Sequence, residues 1–308
     1  MLRKILLIAT ASAVAFAALF QLTNTAKTQN LSQISQIYVF GDSLSDPGNV
    51  FKASQGQVPP SPPYFQGRYA DGLVWTEYLA QQLKINANAH TNFAYGGATT
   101  GNSQQIPFGL LTQINRYQAS NSKANTNALY IIWAGANDYL GGGNDTNRPV
   151  ENSVAAVKSL VQAGAKNILV VNLPDLGELP VTRNTQRAKE LSNLTQKHNS
   201  QLAAALKDLH QQLQSESNII YYDVNEIFNQ VINHPAKFGF ANVTDTCLNI
   251  ERSQYIVCKN PDEYLFWDYI HPSTATHRLL AETVFTKLNT RGSNTISRNA
   301  IASNNFKF

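Results

Sequence analysis

Two short blocks of the sequence contain the three residue types that perform nucleophilic catalysis. Ser43 lies in IYVFGDSLSDPGN, directly after a strand-like apolar run, and FWDYIHPS places Asp268 three residues before His271. A serine hydroxyl becomes a useful nucleophile when a base lies within hydrogen-bond reach and a third group orients that base. Asp268 is close enough in the chain to hold the neutral tautomer of His271 and to stabilise the imidazolium. The two blocks therefore predict a serine nucleophile served by a histidine base.

Two further blocks contain hydrogen-bond donors of the kind that a developing oxyanion needs. NFAYGGATTG ends in the pair Gly96 and Gly97, where a backbone N–H can approach a ligand without an intervening side chain. IIWAGANDYL contains Asn137, whose amide can point into the same cleft. Together with the N–H of Ser43, this predicts three donors that converge on one point. The spacing does not choose between Gly96 and Gly97.

Apolar runs of strand length alternate with helical segments, which indicates an α/β fold with a mostly parallel sheet. The predicted strands are 36–41, 91–96, 128–135, 167–174 and 218–224, and the predicted helices are 73–83, 108–118, 150–164, about 183–214 and 274–288. The nearly continuous hydrophobicity of the strands suits central positions with helices on both faces. Ligand sites of such sheets lie at the carboxyl ends of the strands, and Ser43 and Asn137 follow such ends.

The four blocks resemble those of the SGNH, or GDSL-type, serine esterase and lipase superfamily. GDSLSD, NFAYGGAT, GANDY and DYIHPS occur in the family's order and spacing across residues 41–272. PPYFQGRYADG and the insertion that contains the cysteines are similar to the branch with plant GDSL lipases and bacterial secreted esterases and phospholipases. The resemblance implies a three-layer α/β/α sandwich with a flavodoxin-like sheet. It also implies a catalytic triad of Ser43, Asp268 and His271, and an oxyanion hole of Ser43, Gly97 and Asn137.

The activity that the resemblance implies is hydrolysis of carboxylic esters through an acyl-enzyme on Ser43, without a metal or another cofactor. A lipid or a small acyl ester is the expected substrate. Removal of acetyl groups from carbohydrate and transfer of the acyl group to another alcohol are the enzymatic alternatives. An inactive protein that only binds an ester or a glycan is the alternative outside enzymes. No fixed protein partner is predicted, and a transient contact with a lipid surface is compatible with this activity.

Other functional classes lack their sequence features. A haloacid-dehalogenase-type phosphatase needs a DxDGT-like motif upstream of GDSxxD, and none precedes Gly41. Neither CxxC, HExxH nor GxSxG occurs, which excludes the thiol, zinc and α/β-hydrolase motifs. Removal of the first 26 residues, which include Arg3 and Lys4, lowers the formal charge from +4 to +2. No basic cluster follows, so the charge gives no reason to expect a nucleic-acid partner.

The N-terminal segment has a basic start and an apolar run, which is typical of a secretory signal or an N-terminal anchor. Because the run is shorter than the roughly 20 residues that span a bilayer, a cleaved signal over residues 1–26 is predicted. The protein is then secreted or periplasmic. The remaining segments are predicted as a polar stub over 27–35, one SGNH hydrolase domain over 36–290 and a polar, disordered tail over 291–308.

The two cysteines, Cys247 and Cys258, are expected to form one disulfide behind such a signal, with two free thiols as the alternative. Structural roles are assigned to several further polar residues. Three aspartates are predicted to organise loops by bonding backbone amides, and Arg68 to tie down the Pro- and Gly-rich loop 54–72. These aspartates are Asp42, Asp46 and Asp138.

Histidines other than His271 are predicted to have structural roles. In the helix predicted over 183–214, leucines form a buried stripe, and His198 and His210 are predicted to lie on the polar face. His277 has no partner at the spacing of a metal site or a triad. Five aromatic residues near strand ends or loops are assigned either to the core or to the wall of an acyl pocket. They are Tyr64, Phe65, Tyr139, Phe266 and Trp267.

Overall fold

The structure, a computed structural model, describes residues 34–86, 88, 90–213 and 217–292. The predicted signal, most of the polar stub and the tail from residue 293 lie outside the described residues. The described residues up to Thr286 belong to one compact unit, and those from 287 to 292 belong to a second unit. In the described part of the chain, no helix is long and apolar enough to cross a membrane. The boundaries of the hydrolase domain, 36–290, stay a prediction.

Five parallel strands form the central sheet. They are β1 (Gln36–Gly41), β2 (His90–Asn92), β3 (Ala128–Trp133), β4 (Asn167–Val171) and β5 (Asn218–Tyr222), in the order β2-β1-β3-β4-β5. Each neighbouring pair is parallel, as predicted from the apolar runs. β2 ends at Asn92 and is shorter than the predicted 91–96, and the side chain of Asn92 takes the N–H of Ala94 at 2.9 Å. The N–H groups of Phe93 and Tyr95 still bond to β1, at 2.8 and 3.1 Å.

Helices cover both faces of the sheet, so the predicted three-layer α/β/α fold is confirmed. The helices are α1 (Asn49–Ala53), α2 (Trp75–Gln82), α3 (Leu110–Ser120), α4 (Ala136–Leu140), α5 (Asn147–Gln162), α6 (Ala188–Gln212), α7 (Val224–Asn233) and α8 (Thr274–Gly292). On one face, residues of β1, β3 and β4 pack against α3, α5 and α6. On the other, Trp133 packs edge-on against Trp75 of α2, with ring centroids 5.6 Å apart. β3 and β4 are buried along their whole length, which explains their unbroken hydrophobicity.

A small β insertion lies between α7 and α8. β6 (Asn242–Thr246) pairs in parallel with β9 (Tyr264–Phe266), while β7 (Leu248–Glu251) and β8 (Gln254–Val257) form an antiparallel hairpin. A disulfide joins Cys247 and Cys258 at the base of the hairpin, with the sulfur atoms 1.99 Å apart, so the predicted pairing is confirmed. Cys247 belongs to the same buried cluster as Trp267. The insertion is thereby packed against the segment that contains Asp268 and His271.

The prediction that His198 lies on the polar face of α6 is wrong. Its side chain is 1% exposed, and its Nδ1 lies 2.8 Å from the hydroxyl of Tyr139. The reason is helical spacing, since Leu191, Thr195, His198 and Leu202 are three or four residues apart and are all buried. Burial lowers the pKa of His198 to about 4, so the ring is neutral at pH 7. His210 is exposed, as predicted.

Candidate active site

Ser43 lies two residues beyond the carboxyl end of β1, and the packing of Gly41 sets the point where the strand leaves the sheet. A Cβ at Gly41 would lie 2.2 Å from the carbonyl oxygen of Trp133, so this close approach to β3 requires glycine. The side chain of Gln113 then holds both backbone groups of Gly41. Its Oε1 accepts the N–H at 2.8 Å and its Nε2 donates to the carbonyl at 2.9 Å. The chain therefore exits to Ser43 from a fixed position.

The structure brings together the three residues predicted as a triad. The Nε2 of His271 lies 2.9 Å from the Oγ of Ser43, and its Nδ1 lies 2.8 and 2.9 Å from the two carboxylate oxygens of Asp268. An ionised carboxylate can only accept hydrogen bonds, so Nδ1 carries the proton. Nε2 is then free to accept the hydroxyl proton of Ser43, which is the tautomer that a general base needs.

The loop from Asp268 to His271 is held by its own backbone. The Oδ1 of Asp268 accepts the N–H groups of Ile270 and His271, at 2.8 and 2.7 Å, and the N–H of Trp267 donates to the carbonyl of His271 at 2.8 Å. At the start of α8, the Oγ of Ser273 accepts the N–H of Thr276 at 3.3 Å, which caps the helix. The histidine is therefore fixed from both sides.

The charge of Asp268 is stabilised by its neighbours. Burial raises its pKa, but the nearby His271 and the hydrogen bonds from His271, Tyr64 and Ile270 outweigh burial and lower the pKa to about 2. Asp268 is consequently ionised at any pH at which the protein is expected to work. A buried negative charge beside Nδ1 favours the imidazolium that forms when His271 accepts a proton.

The side chain of Asp46 distinguishes the two candidate glycines. Its Oδ2 accepts the N–H of Gly96 at 2.8 Å, while its Oδ1 accepts the N–H groups of Gly48 and Asn49. The N–H of Gly97, a residue with φ of +81°, has no hydrogen-bond partner among the described residues, and neither has the N–H of Ser43. The geometry thus leaves Gly97, rather than Gly96, with a free donor.

The third predicted donor, Asn137, lies in the first turn of α4. Its Nδ2 donates one hydrogen to the carbonyl of Ala98 at 2.9 Å, which leaves the second hydrogen of the amide available. Asp138, the next residue, accepts the N–H and the hydroxyl of Thr100 at 3.0 and 2.8 Å. These bonds connect the segment after β3 to the segment after β2 that contains Gly96 and Gly97. Asn137 and Ser43 line the same cleft.

The cleft beside Ser43 is walled mainly by apolar side chains. Those that line it include Leu140, Pro174, Leu176, Leu179, Phe228, Phe266 and Ile270. Of the five aromatic residues considered from the sequence, Phe266 lines this cleft. Tyr139 and Trp267 are fully buried in the core, and Phe65 is partly exposed under the guanidinium of Arg68. Tyr64 takes a different role, because its hydroxyl bonds to Asp268. No sequence signal connected Tyr64 with the triad.

Other residues with predicted structural roles occupy structural positions. Arg68 forms a bidentate pair with Glu77 of α2, at 2.8 and 2.6 Å, which anchors the loop 54–72 as predicted. His277 is buried, accepts the N–H of Trp75 at 3.3 Å, and has its pKa lowered by burial to about 3. Within the residues that the structure describes, no group of three or more histidine, cysteine or acidic side chains is arranged to hold a metal ion.

Asp42 is a buried carboxyl beside the nucleophile. Its side chain is 1% exposed, its Oδ1 accepts the N–H of Leu44 at 3.1 Å, and its Oδ2 has no partner among the described residues. Burial raises the pKa of Asp42 from an ordinary value of 3.8 to about 7. The folded protein therefore holds this proton more tightly than the unfolded chain. The resulting stabilisation is present in full below about pH 4 and is lost as the pH rises through 7.

We expect the Asp42→Asn variant to lose this part of the pH dependence. The pKa of Asp42 is about three units higher in the folded protein than its ordinary value, which corresponds to about 4 kcal/mol. The free energy of unfolding of the wild type relative to the variant should therefore fall by up to that amount between pH 4 and pH 8. Urea unfolding of both proteins at pH 4, 6 and 8 measures the difference. Asp208→Asn, at an exposed position of α6, is the matched control. Parallel stability curves for wild type and Asp42→Asn would contradict the assignment.

A serine, a histidine and an aspartate bonded in series at the carboxyl edge of a parallel α/β sheet form the arrangement of a serine hydrolase. Comparison with known proteins agrees with this class. The model of the GDSL-like Lipase/Acylhydrolase family matches residues 37–284, and the chain belongs to this family. The family resemblance predicted from the four blocks is confirmed, as is the class of the domain, a carboxylic ester hydrolase.

Two relatives and one solved structure illustrate the similarity. The chain is 30% identical over 275 residues to the thermolabile hemolysin of Vibrio parahaemolyticus serotype O3:K6 (strain RIMD 2210633). The aligned region covers 81% of this chain and 63% of the hemolysin. It is 28% identical over 300 residues to the phosphatidylcholine-sterol acyltransferase of Aeromonas hydrophila, over 80% of this chain and 88% of that enzyme. The inhibitor-bound aryl esterase of M. smegmatis shares the fold, with a TM-score of 0.50 and 16% identity over 83% of this chain and 99% of the esterase. The chain thus spans less than two thirds of the length of the hemolysin.

Proposed function

We propose that this protein cleaves acyl esters of lipids through a covalent acyl-enzyme on Ser43. The observation that carries the proposal is the unbroken series of hydrogen bonds from Ser43 Oγ to His271 Nε2 at 2.9 Å and from His271 Nδ1 to Asp268 at 2.8 Å. Each contact has the length that proton transfer or orientation of the base requires.

In the first half of the reaction, Ser43 Oγ bonds to the ester carbonyl carbon while its proton passes to His271 Nε2. The carbonyl oxygen becomes an oxyanion, which the N–H groups of Ser43 and Gly97 and the free Nδ2 hydrogen of Asn137 stabilise. The carbon–oxygen bond to the alcohol then breaks, and the alcohol leaves with the proton from His271. Asp268 compensates the positive charge of the imidazole while it holds that proton.

In the second half, water attacks the acyl group on Ser43 and gives a proton to His271. The carboxylic acid leaves, and His271 returns the proton to Ser43 Oγ, which regenerates the free enzyme. The same acyl-enzyme can instead react with a second alcohol. The relationship to the phosphatidylcholine-sterol acyltransferase, at 28% identity, favours acyl transfer as the second candidate function.

The lining of the cleft supports a lipid substrate. Its side chains beside Ser43 are mainly aliphatic or aromatic, and among them only Asp42, Ser43 and Asn137 are polar. This lining supports an acyl group rather than a carbohydrate beside Ser43, because it offers few polar partners to the hydroxyls of a sugar. A phospholipid ester is the substrate class named for the Aeromonas relative, and we extend it to this chain as part of the proposal.

A panel of acyl esters tests the substrate class. In a series of aryl esters from acetyl upward, each added methylene that becomes buried should raise kcat/KM by up to about fourfold, because burial of a CH₂ contributes about 0.8 kcal/mol. Phosphatidylcholine should release free fatty acid, and a sterol added to it should measure acyl transfer. Rates without enzyme serve as the control. A preference for acetyl esters together with faster release of acetate from an acetylated glycan would indicate a carbohydrate deacetylase and overturn the lipid assignment.

We also propose export of the protein by a signal over residues 1–26, which lie outside the described residues. The basic start and the apolar run support this proposal. The mass of the protein recovered from the periplasm or the medium should match cleavage after Ala26. Recovery of the full-length chain in the membrane fraction would indicate an uncleaved anchor instead.

A further inference from the structure

The loop 54–72 reaches the candidate triad through one side chain. The hydroxyl of Tyr64 lies 2.7 Å from the Oδ2 of Asp268, a residue 204 positions later in the chain. The same Oδ2 lies 2.8 Å from the Nδ1 of His271. One carboxylate oxygen is therefore shared between the catalytic imidazole and a phenol that belongs to a different segment.

Tyr64 must be the donor in this contact. Asp268 has a pKa of about 2, is ionised and can only accept. Burial, followed by the nearby charge of Asp268, raises the pKa of Tyr64, so its hydroxyl keeps its proton throughout the neutral range. A hydrogen bond from a neutral donor to a charged acceptor is stronger than one between neutral groups. The contact is thus a lasting constraint on the carboxylate.

The ring of Tyr64 is held in place by its neighbours. It packs edge-on against Trp267, with centroids 6.4 Å apart, and against Tyr69 at the same separation. Tyr69 in turn lies 5.0 Å from the imidazole of His271, measured between ring centroids. The ion pair of Arg68 with Glu77 anchors the loop between them. The phenol therefore approaches Asp268 from a rigid support.

Apart from the Nδ1 of His271, which lies within 2.9 Å of both oxygens, Oδ1 and Oδ2 of Asp268 have different partners. Oδ1 accepts the backbone N–H groups of Ile270 and His271, which fixes one end of the carboxylate from within its own loop. Besides His271, Oδ2 has one further partner among the described residues, and this is Tyr64. Without the phenol, Oδ2 would be held by the imidazole alone. In the proposed reaction the imidazole gains and loses a proton during each turnover, so its own charge changes.

We propose that Tyr64 is a positioning residue for the reaction, which holds the Oδ2 of Asp268 opposite the Nδ1 of His271. This inference rests on the proposed triad. Because the phenol acts on the carboxylate and not on the substrate, its loss should affect the chemical step and leave substrate binding unchanged. A residue that only secured the loop would instead change stability or KM.

Tyr64→Phe removes the hydroxyl and keeps the ring. We expect kcat for an aryl ester to fall about tenfold, with KM within twofold of the wild type, as one hydrogen bond to a charged acceptor is lost. The matched control is Tyr264→Phe. Tyr264 packs in the same cluster as Tyr64 and Trp267, and its hydroxyl makes no hydrogen bond among the described residues. Its kcat and KM should both remain within twofold of the wild type, and thermal unfolding should show both variants folded.

A double-mutant cycle with Asp268→Ala tests whether the phenol acts through the carboxylate. In the Asp268→Ala background, Tyr64→Phe should change kcat less than twofold, since the acceptor is already gone. An equal tenfold loss in both backgrounds, or a wild-type kcat for Tyr64→Phe alone, would overturn the positioning role. Failure of the triad itself has a different signature, because Asp268→Ala and Ser43→Ala would then retain activity.

Discussion

Replacement of Ser43 by alanine should lower kcat for aryl ester hydrolysis by about 10⁴-fold or more and leave the fold intact. The side chain is 7% exposed, and its hydroxyl has the imidazole of His271 as its hydrogen-bond partner among the described residues. The substitution removes one oxygen atom and keeps the Cβ, so we expect it to disturb packing little while it removes the proposed nucleophile. Initial rates of the purified variant, with thermal unfolding alongside, measure both properties.

The matched control for this variant is Ser45→Ala. Ser45 is two residues away, fully buried, and its Oγ accepts the indole N–H of Trp75 at 3.0 Å. We expect Ser45→Ala to reduce stability by about 1–3 kcal/mol, because it leaves a buried donor unpaired, while kcat stays within a few fold of the wild type.

Covalent labelling identifies the reacting serine directly. A lipophilic alkyl phosphonate with a good leaving group should add its phosphonyl group once to the wild type and to Ser45→Ala, and not to Ser43→Ala. Peptide mass spectrometry then assigns the adduct. A Ser43→Ala protein that keeps a tenth of the wild-type turnover, or an adduct on Ser45, would show that the nucleophile is a different residue.

The sequence predicted the residues of the candidate site better than the contacts that hold them. Ser43, Asp268 and His271 have side chains whose chemistry is distinctive, and the order of strands brings the ends of β1, β2 and β3 to one edge of the sheet. Both signals are readable from residue types and spacing. The bond from Tyr64 to Asp268 spans 204 positions and depends on the path of an irregular loop, for which the chain has no periodic signal.

The choice between Gly96 and Gly97 illustrates the same limit. Both are glycines at the end of one strand, and local sequence treats them alike. They differ because the carboxylate of Asp46, 50 positions earlier than Gly96, takes the N–H of that residue. The prediction for His198 was wrong for a different reason. Its polarity suggested a solvent-facing position, whereas its helical spacing from Leu191, Thr195 and Leu202 places it on the buried face, where the hydroxyl of Tyr139 bonds to it.

Removal of the Asn137 side chain is the second large effect that we expect. Asn137→Ala should lower kcat by about 10²–10³-fold with little change in KM, because the amide is proposed to bond the oxyanion and not the ground-state ester. The variant also loses the bond from Nδ2 to the carbonyl of Ala98, which follows Gly97. Steady-state kinetics on an aryl ester separate kcat from KM.

The control must show that a lost amide in the same polar network does not by itself reduce the rate. Asn152 of α5 donates to the hydroxyl of Thr100 at 3.1 Å, and Thr100 bonds to Asp138, the neighbour of Asn137. Asn152→Ala therefore disturbs this network outside the cleft, and its kcat should stay within about threefold of the wild type. Asn137→Asp, which keeps the shape but replaces the donor by a negative charge, should be at least as impaired as Asn137→Ala, since the charge would repel the oxyanion. Normal kinetics for Asn137→Ala would mean that the backbone N–H groups of Ser43 and Gly97 stabilise the oxyanion without it.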